Sequence, residues 1–186
     1  MPILLISMGG FGYALLDDSI NTIAELEAAD YHIEITNCTV KSYNGFGLCQ
    51  FFWDAFTVSF NDSNIFPGWE IVLNLTIYNT PDSWIAKVNY TIFYLNQTTG
   101  TWTPTDKNEL LTLFKLEFEN KFYNVTTGEE IVGDPELWPD QTVFNIERLK
   151  FVANSQEYEE LHGQTFTVKV EIYGTYPDPD PLEGEE

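Results

Sequence analysis

The sequence predicts an all-β fold, an antiparallel, jelly-roll-like β-sandwich with an extended N-terminal segment and one or two short helices. Three observations carry this. Between Trp69 and Asn96 apolar and polar side chains alternate with period two on either side of a turn-rich break, the pattern of half-buried strands. About eight such strands are separated by segments rich in Gly, Pro, Asn and Asp, and helical periodicity is confined to short stretches. With 186 residues, 44% of them apolar and 16% aromatic, the chain can fill the core of one good-sized domain.

The organisation read along the chain is an apolar segment at 1–16, a sandwich domain at 17–175 and an acidic, Pro-rich tail at 176–186. The first segment, MPILLISMGGFGYALL, has no charge and three glycines. It resembles the end of a secretory signal with Ala14 as a cleavage position, but no Lys or Arg precedes Lys41, so the positive leading region is missing. It is read as either a signal remnant or a retained arm. Ser19 is placed to cap a short helix over Ile20–Ala29. Tyr31–Val40 alternates as a strand, and Phe51–Phe60 as another with Phe56, Val58 and Phe60 inward.

Pro67-Gly68 opens what reads as a central hairpin. Its first strand puts Trp69, Ile71, Leu73, Leu75 and Ile77 on one face; its second puts Trp84, Ala86, Val88, Tyr90 and Ile92 on one face. Gln97–Glu109 reads as polar and turn-rich. Phe114, Leu116, Phe118 and Phe122 mark a strand, and Thr126–Asp140 a long loop. Val143–Val152 reads as a bulged strand, because the apolar parity changes between Ile146 and Leu149. Ser155–Leu161 fits one or two helical turns, and Phe166–Ile172 the last strand.

Eight Lys plus Arg against 29 Asp plus Glu give a net charge of −21. Nucleic acid is excluded as a partner, since neutralising phosphates needs clustered cations, and so is an anionic membrane surface. No apolar run reaches the length of a transmembrane helix, so no membrane span is expected. There is no HExxH, GxSxG, Cys-x-x-Cys or phosphate-binding glycine loop, and a non-enzymatic role is expected.

Asn37, Asn61, Asn74, Asn89, Asn96 and Asn124 each begin an Asn-x-Ser/Thr triplet, six of the fourteen Asn. About two would arise by chance at this Ser/Thr content, so the excess points to a chain exported past a glycosylating enzyme and carrying N-linked glycans. Cys38 and Cys49 bracket a short loop, and in a secreted chain they are expected to form a disulfide. Calcium is the expected ion. Its candidate ligands are the loop carboxylates Asp17, Asp18, Asp134, Glu136 and Asp140, none at EF-hand spacing.

Gly9-Gly10-Phe11-Gly12-Tyr13-Ala14-Leu15-Leu16-Asp17-Asp18-Ser19 resembles the signal-to-mature junction of the TasA/camelysin family. Pro67-Gly68 with the two alternating strands after it resembles that family's central hairpin, and Gln164–Ile172 its closing strand. The chain departs from the family in having Asn79-Thr80-Pro81 where an Asn-x-Gly turn is usual. The resemblance implies a secreted jelly-roll protein that forms extracellular fibres. Archaeal relatives build threads and tubules by donating an N-terminal strand to the next subunit. Here the implied donor residues are Ile3, Leu5, Met8, Phe11 and Leu15, and the implied partner is a further copy of the same chain. Proteolytic activity is not carried over from camelysin, because no protease motif stands in this sequence. The alternative reading is a monomeric cell-surface adhesive or carbohydrate-binding domain using exposed aromatics such as Trp102 or Trp138.

Overall fold

The computed structural model describes residues 31–45, 50–63 and 65–177, within a compact unit that begins at Tyr31. The expected helix over Ile20–Ala29, the segment 1–16, and Asp17, Asp18 and Cys49 lie outside the described residues.

Among the described residues eleven strands and two short helices follow one another. They are β1 (Ile33–Asn44), β2 (Gln50–Trp53), β3 (Thr57–Asp62), β4 (Glu70–Asn79), β5 (Ala86–Asn96), β6 (Thr101–Thr105), α1 (Lys107–Phe114), β7 (Leu116–Asn124), β8 (Glu130–Ile131), β9 (Glu136–Leu137), β10 (Thr142–Phe151), α2 (Ser155–Leu161) and β11 (Phe166–Thr175). Two antiparallel sheets result. The first has the order β1-β4-β10-β7-β8, and the second β2-β3-β11-β5-β6 with β9 added to β5. The antiparallel sandwich is therefore present.

Each sheet turns its apolar positions toward the other. On β4, Ile71, Leu73, Leu75 and Ile77 are buried, each worth about 2 kcal/mol of transfer free energy. Trp69, just ahead of β4, is buried too, with its indole N–H donated to Asp62 at 3.0 Å. Val58 and Phe60 of β3, Val88 and Ile92 of β5, and Val168 and Val170 of β11 meet them from the second sheet.

Trp69–Asn96 does not form the expected hairpin: β4 belongs to the first sheet and β5 to the second. Alternation requires a covered face, and a facing sheet covers it as well as a flanking strand aligns it. The connection is held by Asn79, whose side-chain amide donates to the carbonyls of Trp84 and Leu137 at 2.8 Å each. Trp84 lies before β5 and is exposed, as is Phe56 between β2 and β3, so neither joins the core. The bulge expected in Val143–Val152 is also absent, since β10 keeps unbroken register against both β4 and β7. Its inward row is Val143, Asn145, Glu147, Leu149 and Phe151, all buried. The parity change came from two polar residues facing the core.

Helix α1 begins inside the stretch Gln97–Glu109 expected to be turns and ends at Phe114, expected to open a strand. Asp106 caps it by accepting the Glu109 N–H at 2.8 Å. Lys115 ends it in the left-handed conformation at φ 55°. Phe114 therefore enters the core from a helix end, edge-on to Tyr94 and Phe166. Helix α2 has a reciprocal capping box between Asn154 and Glu157.

Candidate functional site

The longest exposed strand edge belongs to β1, which terminates the first sheet and pairs with β4 from Ile33–Asn79 to Asn44–Glu70. Among the described residues no strand lies on its other side. The remaining sheet edges are guarded: β8 and β9 have two residues each, β2 has four, and β6 carries Pro104. Register shifts at Ile35/Asn37 and Val40/Ser42 leave Asn37–Val40 as the regular part of the β1 edge. Val40 stands opposite Leu73, which is fully buried, yet Val40 itself is 46% exposed. At this flank the interior layer of the first sheet extends beyond what covers it. The expected donor residues Ile3, Leu5, Met8, Phe11 and Leu15 lie outside the described residues.

The six Asn-x-Ser/Thr triplets divide by geometry. Asn37 and Asn74 are exposed on the outer face of the first sheet, in interlocked register, with Asn37 paired to Thr76 and Thr39 to Asn74. Phe144 and Tyr123 border the same hollow. Asn61 and Asn89 are half-buried. The Asn61 amide donates to Gln50 Oε1 at 3.4 Å, and the Asn89 amide to Thr175 Oγ1 at 2.6 Å. Asn96 and Asn124 begin a five-residue turn used twice, Asn-Gln-Thr-Thr-Gly and Asn-Val-Thr-Thr-Gly. In each, the Asn Oδ1 accepts the N–H groups two and three residues on, and a glycine at φ 69° or 72° closes the turn. Here the Asn has a structural role apart from any glycan.

Among the described residues Cys38 is a buried thiol, and its expected disulfide partner, Cys49, lies outside them. Cys38 faces the interior opposite Leu75, on the row that continues to Asn145. Burial pushes the thiol up to about 12, and the charge of Glu147 adds to the shift. The Asn145 amide donates to Asn120 Oδ1 and to the Lys121 carbonyl. Glu147 is 0% exposed and neither carboxyl oxygen has a hydrogen-bond partner among the described residues. Desolvation raises its pKa to about 8. A buried acid on a strand was legible only as the misread parity of β10.

Of the carboxylates expected to hold calcium, Asp17 and Asp18 lie outside the described residues, and Glu136 and Asp140 border one shallow hollow. Among the described residues no group of three or more His, Cys, Asp or Glu has metal-holding geometry. Asp140 accepts the Tyr78 hydroxyl at 2.6 Å, and Glu136 sits on β9 paired with Lys87. Asp134 is an exposed loop residue.

On the outer face of the second sheet the Lys169 ammonium lies 4.6 Å from the Phe93 ring centre and 5.0 Å from that of Trp102, and it pairs with Glu171. Trp102 is 39% exposed on β6, and Trp138, after β9, is 62% exposed. The two tryptophans stand on different elements.

Compared with known proteins, the chain matches no protein-family model, no curated protein and no solved structure.

Proposed function

We propose that the chain is a structural subunit of an extracellular filament, assembled head-to-tail by strand donation. The apolar segment at 2–16 of one copy would add to the β1 edge of the next. The observation that carries this reading is the β1 flank, where a regular open edge at Asn37–Val40 adjoins the half-exposed interior residue Val40. A strand laid there would gain ladder hydrogen bonds and an apolar contact at once. The other described edges are too short or too interrupted to offer both. Head-to-tail addition is heterologous and does not close, so it propagates. The six Asn-x-Ser/Thr triplets and the resemblance to TasA-type fibre proteins support an exported location.

The test is electron microscopy of the full chain beside a variant lacking residues 2–16. The full chain should form filaments, and the truncation should remain a folded monomer with an unchanged β-rich circular dichroism spectrum. Val40→Asp in the full chain should likewise fold and fail to polymerise. Normal filaments from the truncated chain would overturn strand donation.

A further inference from the structure

A second site lies far along the chain from the β1 edge, where β5 and β11 part. Their ladder ends at the pair Val168–Tyr94, while Phe166 and Thr167 remain paired only to β3. The unzipped ends leave a cleft of about 610 Å³, within the range of small-ligand sites. Its inner wall is apolar: the half-buried rings of Tyr94 and Phe114 sit over the buried Phe166 in an edge-to-face chain with centroids 5.0 and 5.6 Å apart, beside Leu95, Leu113 and Val168. Its rim consists of side-chain amides and hydroxyls from Asn96, Gln97, Gln164, Thr165 and Thr167. A 3.5 Å contact from Gln97 Nε2 to Thr167 Oγ1 spans the lip.

No residue lining this cleft carries a charge, although one residue in five of the chain does and the net charge is −21. Such a lining offers nothing to a metal ion, a phosphate or a nucleotide, and the surrounding negative field repels acidic ligands. What it matches is an uncharged molecule with one apolar face and a periphery of hydroxyls. Sugar rings have that form: axial C–H groups rest on aromatic faces while ring hydroxyls exchange hydrogen bonds with amides. An extended peptide would instead seek a continuous row of backbone partners, and this opening is only a few residues long.

We infer that the cleft between Leu95–Gln97 and Gln164–Thr167 binds a neutral saccharide. Two sources supply that chemistry. One is a free neutral glycan. The other is the chain's own sugar, because Asn96, which begins an Asn-x-Thr triplet, stands on the rim with its Oδ1 fixed by Thr98 and Thr99. The site does not depend on filament formation.

Saturation-transfer difference NMR tests the inference, since it reads ligand signals whatever the assembly size of the protein. Full-length chain from a non-glycosylating host is mixed separately with maltohexaose, cellohexaose, chitohexaose, hexagalacturonate and an uncharged apolar heptapeptide. At least one neutral hexasaccharide should show saturation transfer, and hexagalacturonate should not. Gln97→Ala with Gln164→Ala, both exposed positions, should weaken that binding about tenfold. Chain from a glycosylating host is then compared with its Thr98→Ala variant, which removes the triplet but keeps Asn96. Binding by both forms assigns the cleft to a free glycan. Binding restored only by Thr98→Ala assigns it to the chain's own sugar. Absence of transfer to all three neutral probes, equal binding of hexagalacturonate, binding of the heptapeptide alone, or no effect of the double substitution would overturn the inference.

Discussion

The side-chain amide of Asn79 donates to the carbonyl of Leu137 at 2.8 Å, joining residues 58 positions apart at the point where the chain passes from one sheet to the other. The same nitrogen also donates to the Trp84 carbonyl, and Asn79 is fully buried. Its backbone exchanges two more bonds with the Asp140–Gln141 segment, as acceptor from the Asp140 N–H and donor to the Gln141 carbonyl. One residue thus fastens the β4–β5 crossing to β9 and the approach to β10.

Replacing Asn79 by Ala should therefore cost about 1–3 kcal/mol, because the buried Leu137 carbonyl loses this donor, while the Trp84 carbonyl keeps the Ser83 hydroxyl at 3.1 Å. Urea denaturation followed by tryptophan fluorescence measures this. A loss below about 0.5 kcal/mol, the scatter expected of an ordinary surface change, would contradict the role assigned to Asn79.

Glu147 gives the fold a specific dependence on pH. Its carboxyl holds its proton in the folded state up to about pH 8, whereas in the unfolded chain it ionises near the ordinary value of 4.5. Between those values the folded state binds one proton more than the unfolded state. Stability from this group is therefore fully present below about pH 4.5, falls as pH rises, and levels off above about pH 8. Glu147→Gln should remove that component and raise stability at pH 8 by a few kcal/mol. Thermal melts of both proteins from pH 4 to 9 isolate it, since the other carboxylates titrate alike in each. Parallel curves for the two proteins would refute a buried, protonated Glu147.

Interlocked register sets a limit on glycan occupancy. Asn37 pairs with Thr76 and Thr39 with Asn74, so the two Asn are diagonal neighbours about 7–8 Å apart on one face. Branched glycans cannot both rise from such closely spaced points without crowding. In chain from a glycosylating host, intact-mass and glycopeptide spectrometry should show occupancy of Asn37 and Asn74 to be anticorrelated, and Asn74→Gln should raise occupancy at Asn37. A population carrying both glycans on most molecules would contradict this.

Legibility of the fold followed how local its physics is. Alternation on β4 was readable because Ile71, Leu73, Leu75 and Ile77 all seek the same covered face. Which neighbour covers that face is a long-range matter, so a crossing between sheets looked like a hairpin. Helix α1 was missed because its one fully buried side chain is Leu110, too little to mark a helical stripe. The spacing of Asp106 and Glu109 was the available signal of its start. Asn145 and Glu147 broke the apolar parity of β10 without breaking its backbone, and composition cannot distinguish a buried acid from a shift of register. The cleft between β5 and β11 had no motif at all. It exists where two paired strands stop at different points, which only the ladder reveals.

The long antiparallel ladder between β1 and β4 also has a mechanical meaning. Tension drawn along the axis of β1 would load its rungs in parallel, so that all of them must yield in shear together. A pull across the strand would instead open them one after another, like a zipper. Bonds loaded in parallel resist a force that would part the same bonds in sequence, and the lifetime under tension is set by the rate of that yielding. Its first residues lie beside Gly174 and its partner β4 carries the buried row Ile71, Leu73, Leu75 and Ile77, so tension along β1 would meet this ladder in shear and not by peeling.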